Sequence, residues 1–328
     1  MSGPVALWTV LSPALIVLGA AVLIGLERRF PYCPEQKLLR PGLWVDLVGY
    51  TLVQSTLLGW VITHLIARID AATGWSRWRL VGRWSVPLQV IFFLVTHDLY
   101  IYAFHRLQHR VPWLWRIHEA HHATREVDWL SGARSHALEI LINQTIELAP
   151  IVLLGAAPEV ALIKVTIDAI WGMYIHANID VRSGRLQWVL NGPEMHRWHH
   201  AIEIRDGVNF ATKLAWWDRL FASAYLPHEK PSGYGIVEPF PEGYLAQQLH
   251  LFRARRIAPP APPPSVPEEP LGVDGRHATR ARRRHRLAVD VVRHVAAGED
   301  PGDPGGGRAG SGHQVPRLVH VQLPNEDL

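Results

Sequence analysis

The sequence predicts an all-α fold: an integral-membrane helical bundle of about four to five transmembrane helices, with a helical cap on the cytoplasmic side that carries clustered histidines. Three observations predict it. Long uncharged apolar runs fill the first third of the 328 residues. A helical hairpin broken at Ala157-Pro158 follows. Eleven of the 19 histidines then fall between His97 and His200, mostly three or four residues apart. On a helix those spacings put the rings on one face.

Composition narrows the classes. The single Cys33 excludes an intramolecular disulfide framework, a cysteine-type zinc site and a cysteine-ligated iron–sulfur cluster. The formal charge of +4 is carried almost wholly by Arg, with Lys only at 37, 164, 213 and 230. No basic–aromatic platform or nucleic-acid motif accompanies it, so nucleic acid is not an expected partner.

The elements follow in order. Val5–Leu26 is 22 residues without a charge, and Leu47–Ala67 is 21 with only His64 ionisable. Each is long enough to cross a hydrocarbon core of about 30 Å. The first has no basic n-region and no small-residue cleavage site, so it reads as a retained helix, not a signal peptide. Val86–Phe104 is a third span with His97 and Asp98 near its end, and ionisable groups at that depth point to function. Ile140–Ala157 and Val160–Ile175 form the hairpin, which either spans or re-enters, because Glu147, Lys164 and Asp168 lie inside it. Four Arg/Lys follow each of the first two spans, so orientation rests on the Arg-rich histidine segments, which read as cytoplasmic with the N-terminus outside. A bacterial inner membrane is the expected location. The domains are then 1–85 (N-terminal helices), 86–226 (catalytic), 227–257 (C-terminal segment) and 258–328, a Pro-, Arg- and Gly-rich tail without apolar periodicity that reads as disordered.

The histidines fall into boxes. Asp98, Tyr102, His105 and His109 lie within about 60° of arc on one helix. His118, His121 and His122 form an i, i+3, i+4 triplet, and His196, His199 and His200 repeat it. His136 and His176 stand singly between the boxes, and their placement makes them expected ligands too. His97 lies off the His105 face and reads as a packing residue. Asp98 is placed to accept an N–H from a ligating ring and fix its tautomer. Eight box histidines exceed what one metal can use, whereas two metals take four or five each. Imidazole suits Zn, Cu, Fe and Ni alike. A site at the foot of apolar helices faces acyl or isoprenoid chains, whose unactivated C–H bonds need an oxidant. Two irons with O2 provide one; zinc, an alternative occupant, is redox-silent. The competing reading is a membrane metal-binding or transport protein with no redox chemistry.

The combined pattern resembles the sterol desaturase / fatty acid hydroxylase superfamily. It runs Asp98-x3-Tyr102-x2-His105-Arg106-x2-His109, His118-x2-His121-His122, Arg134-x-His136-x2-Glu139, His176-Ala-Asn178, His196-x2-His199-His200 and Trp217-Asp218-Arg219-Leu220-Phe221. The resemblance covers about residues 90–226. It implies a membrane-bound non-haem di-iron oxygenase that hydroxylates or desaturates a lipid with O2, with Asp98 and Tyr102 at the site. Its metal ligands would be His105, His109, His118, His121, His122, His136, His176, His196, His199 and His200. Without a dinucleotide fingerprint or haem motif in the chain, electrons would come from a separate reductase through a ferredoxin or cytochrome-type carrier. Two positions depart from the family pattern: Ala137, where members often carry Pro, and Asp180, where some carry a second His after His176.

Overall fold

The computed structural model describes residues 3–204 and 207–253. The expected disorder of the tail from 258 concerns residues outside these. The described chain is helical, with no β-strand among these residues and three isolated bridges, Pro31–Ile179, Leu190–Leu214 and Ala201–Tyr234.

Three long helices lead. The first, α1, spans Gly3–Arg29; α2 spans Val45–Thr73, its first ten residues wound as a π-helix; and α3 spans Val86–Gln108. All three are long and apolar enough to cross a membrane. The remaining helices are α4 (Pro112–His122), α5 (Ala137–Leu153), α6 (Pro158–His176), α7 (Pro193–His199), α8 (Trp216–Leu220) and α9 (Tyr244–Leu249). Three of these, α4, α6 and α7, and α3 before them start with proline in the first turn, where the missing N–H costs no hydrogen bond. At its other end α2 stops at Gly74, whose left-handed φ of 67° lets its N–H cap the Asp70 carbonyl.

The predicted hairpin is α5 and α6, joined across Leu154–Ala157. Neither is among the helices apolar enough to span: α5 has 17 residues, and α6 carries Glu159, Lys164 and Asp168. They are built into the bundle all the same, α6 packing along α1 and α5 along α2. Apolar side chains of the spanning helices face outward, among them Leu7, Val10, Val17, Leu57 and Trp60. Trp44, Trp75, Trp78 and Trp84 are exposed near helix ends, as in an interfacial aromatic belt.

Successive long helices alternate in direction. The N-terminus of α3 meets the α5–α6 turn, where Gln89 accepts from the Ala157 N–H and Val81 donates to the Leu154 carbonyl. Val81, Val90, Phe93, Ile151 and Val160 pack that far end. The near end therefore gathers the C-termini of α1, α3 and α6 with the N-terminus of α5. Glu27, at the foot of α1, accepts the backbone N–H groups of Trp129 and Asn178 there. Every histidine box sits at this end of the bundle.

Candidate metal centre

Nine histidines converge in two groups. His105, His109, His118, His122 and His199 form one; His121, His176, His196 and His200 form the other. Within each group the available ring nitrogens lie within 4.8 Å of one another. The two repeated triplets divide in the same way. Each gives its i, i+4 pair to one group and its i+3 ring to the other: His118 and His122 against His121, and His196 and His200 against His199. Rings four apart stack one turn above each other, while the third is rotated away, so one short helix serves both groups. Paired with α7 across the site, α4 reverses the assignment. The C-terminus of α3 completes the first group with His105 and His109, and the C-terminus of α6 completes the second with His176.

The hydrogen bonds behind the rings fix which nitrogen points inward. Nδ1 of His105 donates to the Phe210 carbonyl at 2.8 Å, that of His121 to the Arg134 carbonyl at 3.0 Å, that of His176 to the Gly172 carbonyl at 2.7 Å, and that of His199 to the Val208 carbonyl at 2.7 Å. Nδ1 of His118 donates to Glu139 Oε1 at 2.9 Å. An acceptor on Nδ1 places the proton there and leaves the Nε2 lone pair free. These Nε2 atoms crowd against those of the other rings, among which His196 and His200 have no acceptor behind their buried Nδ1. His118 Nε2 lies 3.0 Å from His105 Nε2 and 3.2 Å from His122 Nε2, and His196 Nε2 lies 2.9 Å from His176 Nε2 and 3.1 Å from His200 Nε2. With their protons held on Nδ1, the Nε2 atoms of His105 and His118 cannot bond to each other, because both are acceptors. Nε2 of His199 and both ring nitrogens of His109 are buried without a partner. Inward lone pairs without donors are the donor set a cation requires, so the residues fit metal ions. Burial, aided by repulsion from neighbouring rings, pushes His109, His118, His121, His122, His196, His199 and His200 well below the ordinary imidazole range, so these rings are neutral and able to ligate.

His136 does not join them. Its Nδ1 accepts from the Leu138 N–H as the N-cap of α5, and its Nε2 bonds the Gln248 carbonyl at 2.9 Å. The sequence reading made it a ligand; both nitrogens are instead committed to tying α5 to the C-terminal segment. Asp98 also differs from expectation. It accepts from Thr212 Oγ1 and from the N–H groups of Lys213 and Leu214, at 2.7–2.9 Å, and not from any histidine. Tyr102 bonds Ser223 Oγ at 2.8 Å, receives Arg106 at 2.6 Å and packs against Phe210. Both residues fasten the 210–223 segment to α3. Within that segment Asp218 accepts the N–H groups of Phe210 and Ala211 and so aims the Phe210 carbonyl at His105. The Trp217–Phe221 stretch also holds α3 directly, its Phe221 carbonyl accepting from Arg106 at 2.9 Å and its Phe221 ring stacking on Tyr102. Asp180, at the departed position, sits by Arg182, its side chain 45 % exposed, and is outside the second group.

Other supports were given no task by the sequence. Buried Arg40 and Arg134 pair with Asp46 and Asp128, bracing the 128–134 loop that presents the Arg134 carbonyl. Gly132 lies so close to His176 that a Cβ would stand 2.6 Å from its Nδ1. A Cβ at Gly207, whose φ is +72°, would stand 2.8 Å from Nδ1 of His109. Glu139 was in the family pattern without an assigned task; it also accepts from Gln108 Nε2 at 2.9 Å, and its Oε2 is buried and unpartnered.

A cavity of about 270 Å³ runs from the histidines between α3, α5 and α6. Ile101, Phe104, Ile140, Trp171 and Ile175 give it an apolar wall.

Residues 90–223 match the family model described as fatty acid hydroxylase. Through these residues the chain is similar to the fatty acid hydroxylase / sterol desaturase superfamily. It is 33% identical over 173 residues to an ornithine lipid hydroxylase of Rhizobium tropici, covering 52% of each chain. It is 28% identical over 182 residues to the alkylglycerol monooxygenase of Homo sapiens, covering 54% of this chain and 40% of that protein. The same enzyme of Xenopus tropicalis is 25% identical over 167 residues, covering 50% and 37%. The chain thus spans about half the length, or less, of these curated relatives. No solved structure matches it.

Proposed function

We propose that the protein is a membrane-bound, O2-dependent lipid hydroxylase whose nine clustered histidines hold two iron ions, five on one and four on the other. The grouping of the rings, with Nε2 atoms turned inward by acceptors behind them, carries this reading. The related hydroxylases and monooxygenase support insertion of oxygen over desaturation. Bound iron would supply the activation of O2 and the transfer of one of its oxygen atoms to an unactivated C–H bond. The overall reaction consumes one lipid C–H, O2, two electrons and two protons and yields an alcohol and water. The electrons come from a separate donor, a ferredoxin or cytochrome-type carrier with its reductase. The histidine end of the bundle faces the cytoplasm, where such donors reside.

The chain's own residues hold, orient and exclude. Glu139 and the carbonyls of Arg134, Gly172, Val208 and Phe210 keep the rings in one tautomer and orientation, so the site is formed before substrate arrives. Trp171, Phe104 and the isoleucines line the approach with apolar surface and keep water from the reacting carbon.

The test is to purify the chain in lipid and measure bound metal with O2 uptake dependent on lipid and reductant. About two irons per chain, with His121→Ala and His199→Ala each losing metal and activity, are expected. Full iron and full activity in both variants would discard the assignment. Metal bound without any lipid-dependent O2 uptake would favour a metal-binding or transport protein.

A further inference from the structure

Two stretches beside the histidine cluster carry an apolar surface of their own. One is the 184–189 turn, where Leu186, Trp188 and Val189 are exposed, Trp188 by 61%. The other is α8 with the residue after it, where Trp216, Leu220 and Phe221 are exposed, Leu220 by 69%. The two form one patch. The Arg219 guanidinium lies 3.8 Å from the centre of the Trp188 ring and donates to the Gln187 carbonyl at 3.3 Å, and Leu190 meets Leu214 in a backbone bridge. Its one carboxylate, Asp218, is buried and bonded inward, while Arg185 is exposed at its edge.

The depth of this patch follows from α3. A helix crosses a hydrocarbon core of about 30 Å in about 20 residues. Counted from Val86, the near boundary of the core therefore falls at about His105; any tilt moves it further along the helix. The patch is fastened at that level. The Phe221 ring stacks on Tyr102 at 5.2 Å between centroids, and the Phe221 carbonyl accepts from Arg106 at 2.9 Å. Tyr102 is nearly one turn inside the boundary, so Phe221 and the exposed side chains beside it stand where acyl chains meet headgroups. Contiguous apolar surface of this kind marks an interaction site. In-plane elements with large apolar side chains and flanking Arg settle about 5–10 Å into the headgroup boundary, and Trp is enriched at that depth.

We propose that the 184–189 turn and α8 form a membrane foot, lying in the plane of the bilayer with Trp188, Trp216, Leu220 and Phe221 among the acyl chains and Arg185 at the phosphates. Its partner is the leaflet on the histidine side, and the contact continues the one that α3 makes with lipid. The foot is tied to the metal centre by the segment it carries. The Asn191 N–H donates to the Lys213 carbonyl at 2.7 Å, Thr212 and Lys213 line the cavity, and Asp218 holds the N–H of Phe210, whose carbonyl receives His105. The foot thus sets the depth at which the histidines and the cavity sit relative to the leaflet. This inference rests on α3 crossing the membrane and is independent of the hydroxylase reading.

The test uses the full chain in phospholipid nanodiscs. Nitroxide labels are attached one at a time at Trp188→Cys, Leu220→Cys and Glu229→Cys in a chain carrying Cys33→Ser; Glu229 is exposed outside the patch. Collision with dissolved O2, which concentrates among acyl chains, should exceed collision with a water-soluble nickel chelate at 188 and 220. The order should invert at 229. Hydroxyl-radical footprinting of the unsubstituted protein needs no label. Trp188 and Leu220 should be protected in nanodiscs relative to the unfolded chain, while His228, also exposed outside the patch, should react freely. Nickel collisions prevailing at both 188 and 220, or full radical reactivity of Trp188 and Leu220, overturns the proposal. Neither measurement needs bound metal or turnover. Loss of the hydroxylase reading would leave the foot standing, and a water-exposed patch would leave that reading intact.

Discussion

Glu139 is a buried carboxylate bonded to a ring of the histidine cluster, and Glu139→Ala tests whether the hydrogen bonds behind the rings matter. The side chain accepts from His118 Nδ1 and Gln108 Nε2, both at 2.9 Å, and is itself buried. Removing it strands two buried donors. Each stranded donor costs about 1–3 kcal/mol, so the loss of stability is about 2–6 kcal/mol. The effect on metal is separate and selective. His118 Nε2 is the atom on which His105 and His122 converge. With nothing fixing its tautomer, affinity of the five-histidine group falls about 10–100-fold, the usual range for such partners. The four-histidine group keeps its own acceptors, the carbonyls of Arg134 and Gly172. Chelator competition followed by elemental analysis should therefore show one metal per chain lost early and one retained. Glu139→Gln keeps an acceptor oxygen but replaces the carboxyl with an amide, and should fall between wild type and Glu139→Ala. Equal retention of both metals in folded Glu139→Ala would refute the reasoning, as would loss of both in parallel.

Gly132→Ala places a Cβ 2.6 Å from His176 Nδ1 and should empty the four-histidine group first, the reverse of Glu139→Ala, by the same metal analysis. His136→Ala should retain both metals yet lower the melting temperature, since it removes an N-cap worth about 1 kcal/mol and a bond to the Gln248 carbonyl; metal loss at unchanged stability would restore it as a ligand. Asp218→Asn should weaken the five-histidine group through His105, because the Phe210 and Ala211 N–H groups lose a charged acceptor; chelator-competition affinities check it. Acid should destabilise the metal-free protein. The buried rings of His118, His121, His122, His196, His199 and His200 have folded-state values well below normal. Below about pH 6.5 the unfolded chain therefore binds more protons than the folded one. Stability is full above that pH and falls as pH drops; denaturant melts between pH 7.5 and 5 should show the decline, and a flat profile would contradict the burial.

The three spanning helices were legible because an apolar run of about 20 residues has few other destinations. The α5–α6 hairpin was legible as well, its break marked by Pro158. Spacing alone also identified eight box histidines, since i, i+3 and i+4 on a helix share a face wherever that helix lies. His176 was placed by its position between boxes, and the same logic failed for His136. A lone histidine carries no spacing, and one can cap a helix as readily as approach a metal. Asp98 sits on the face of His105, as expected, but that face also meets the 212–214 backbone, whose N–H groups claim it.

What the sequence by itself determined is which rings can stand together on one helix, because that follows from the pitch. Which group each ring enters, and which of its nitrogens looks inward, was decided only by the packed chain. The acceptors behind His105, His118 and His121 come from residues 105, 21 and 13 positions away, and most of the acceptors are backbone carbonyls. Every residue has a carbonyl, so nothing in the order of side chains says which one will lie beneath a ring until the helices are set against each other.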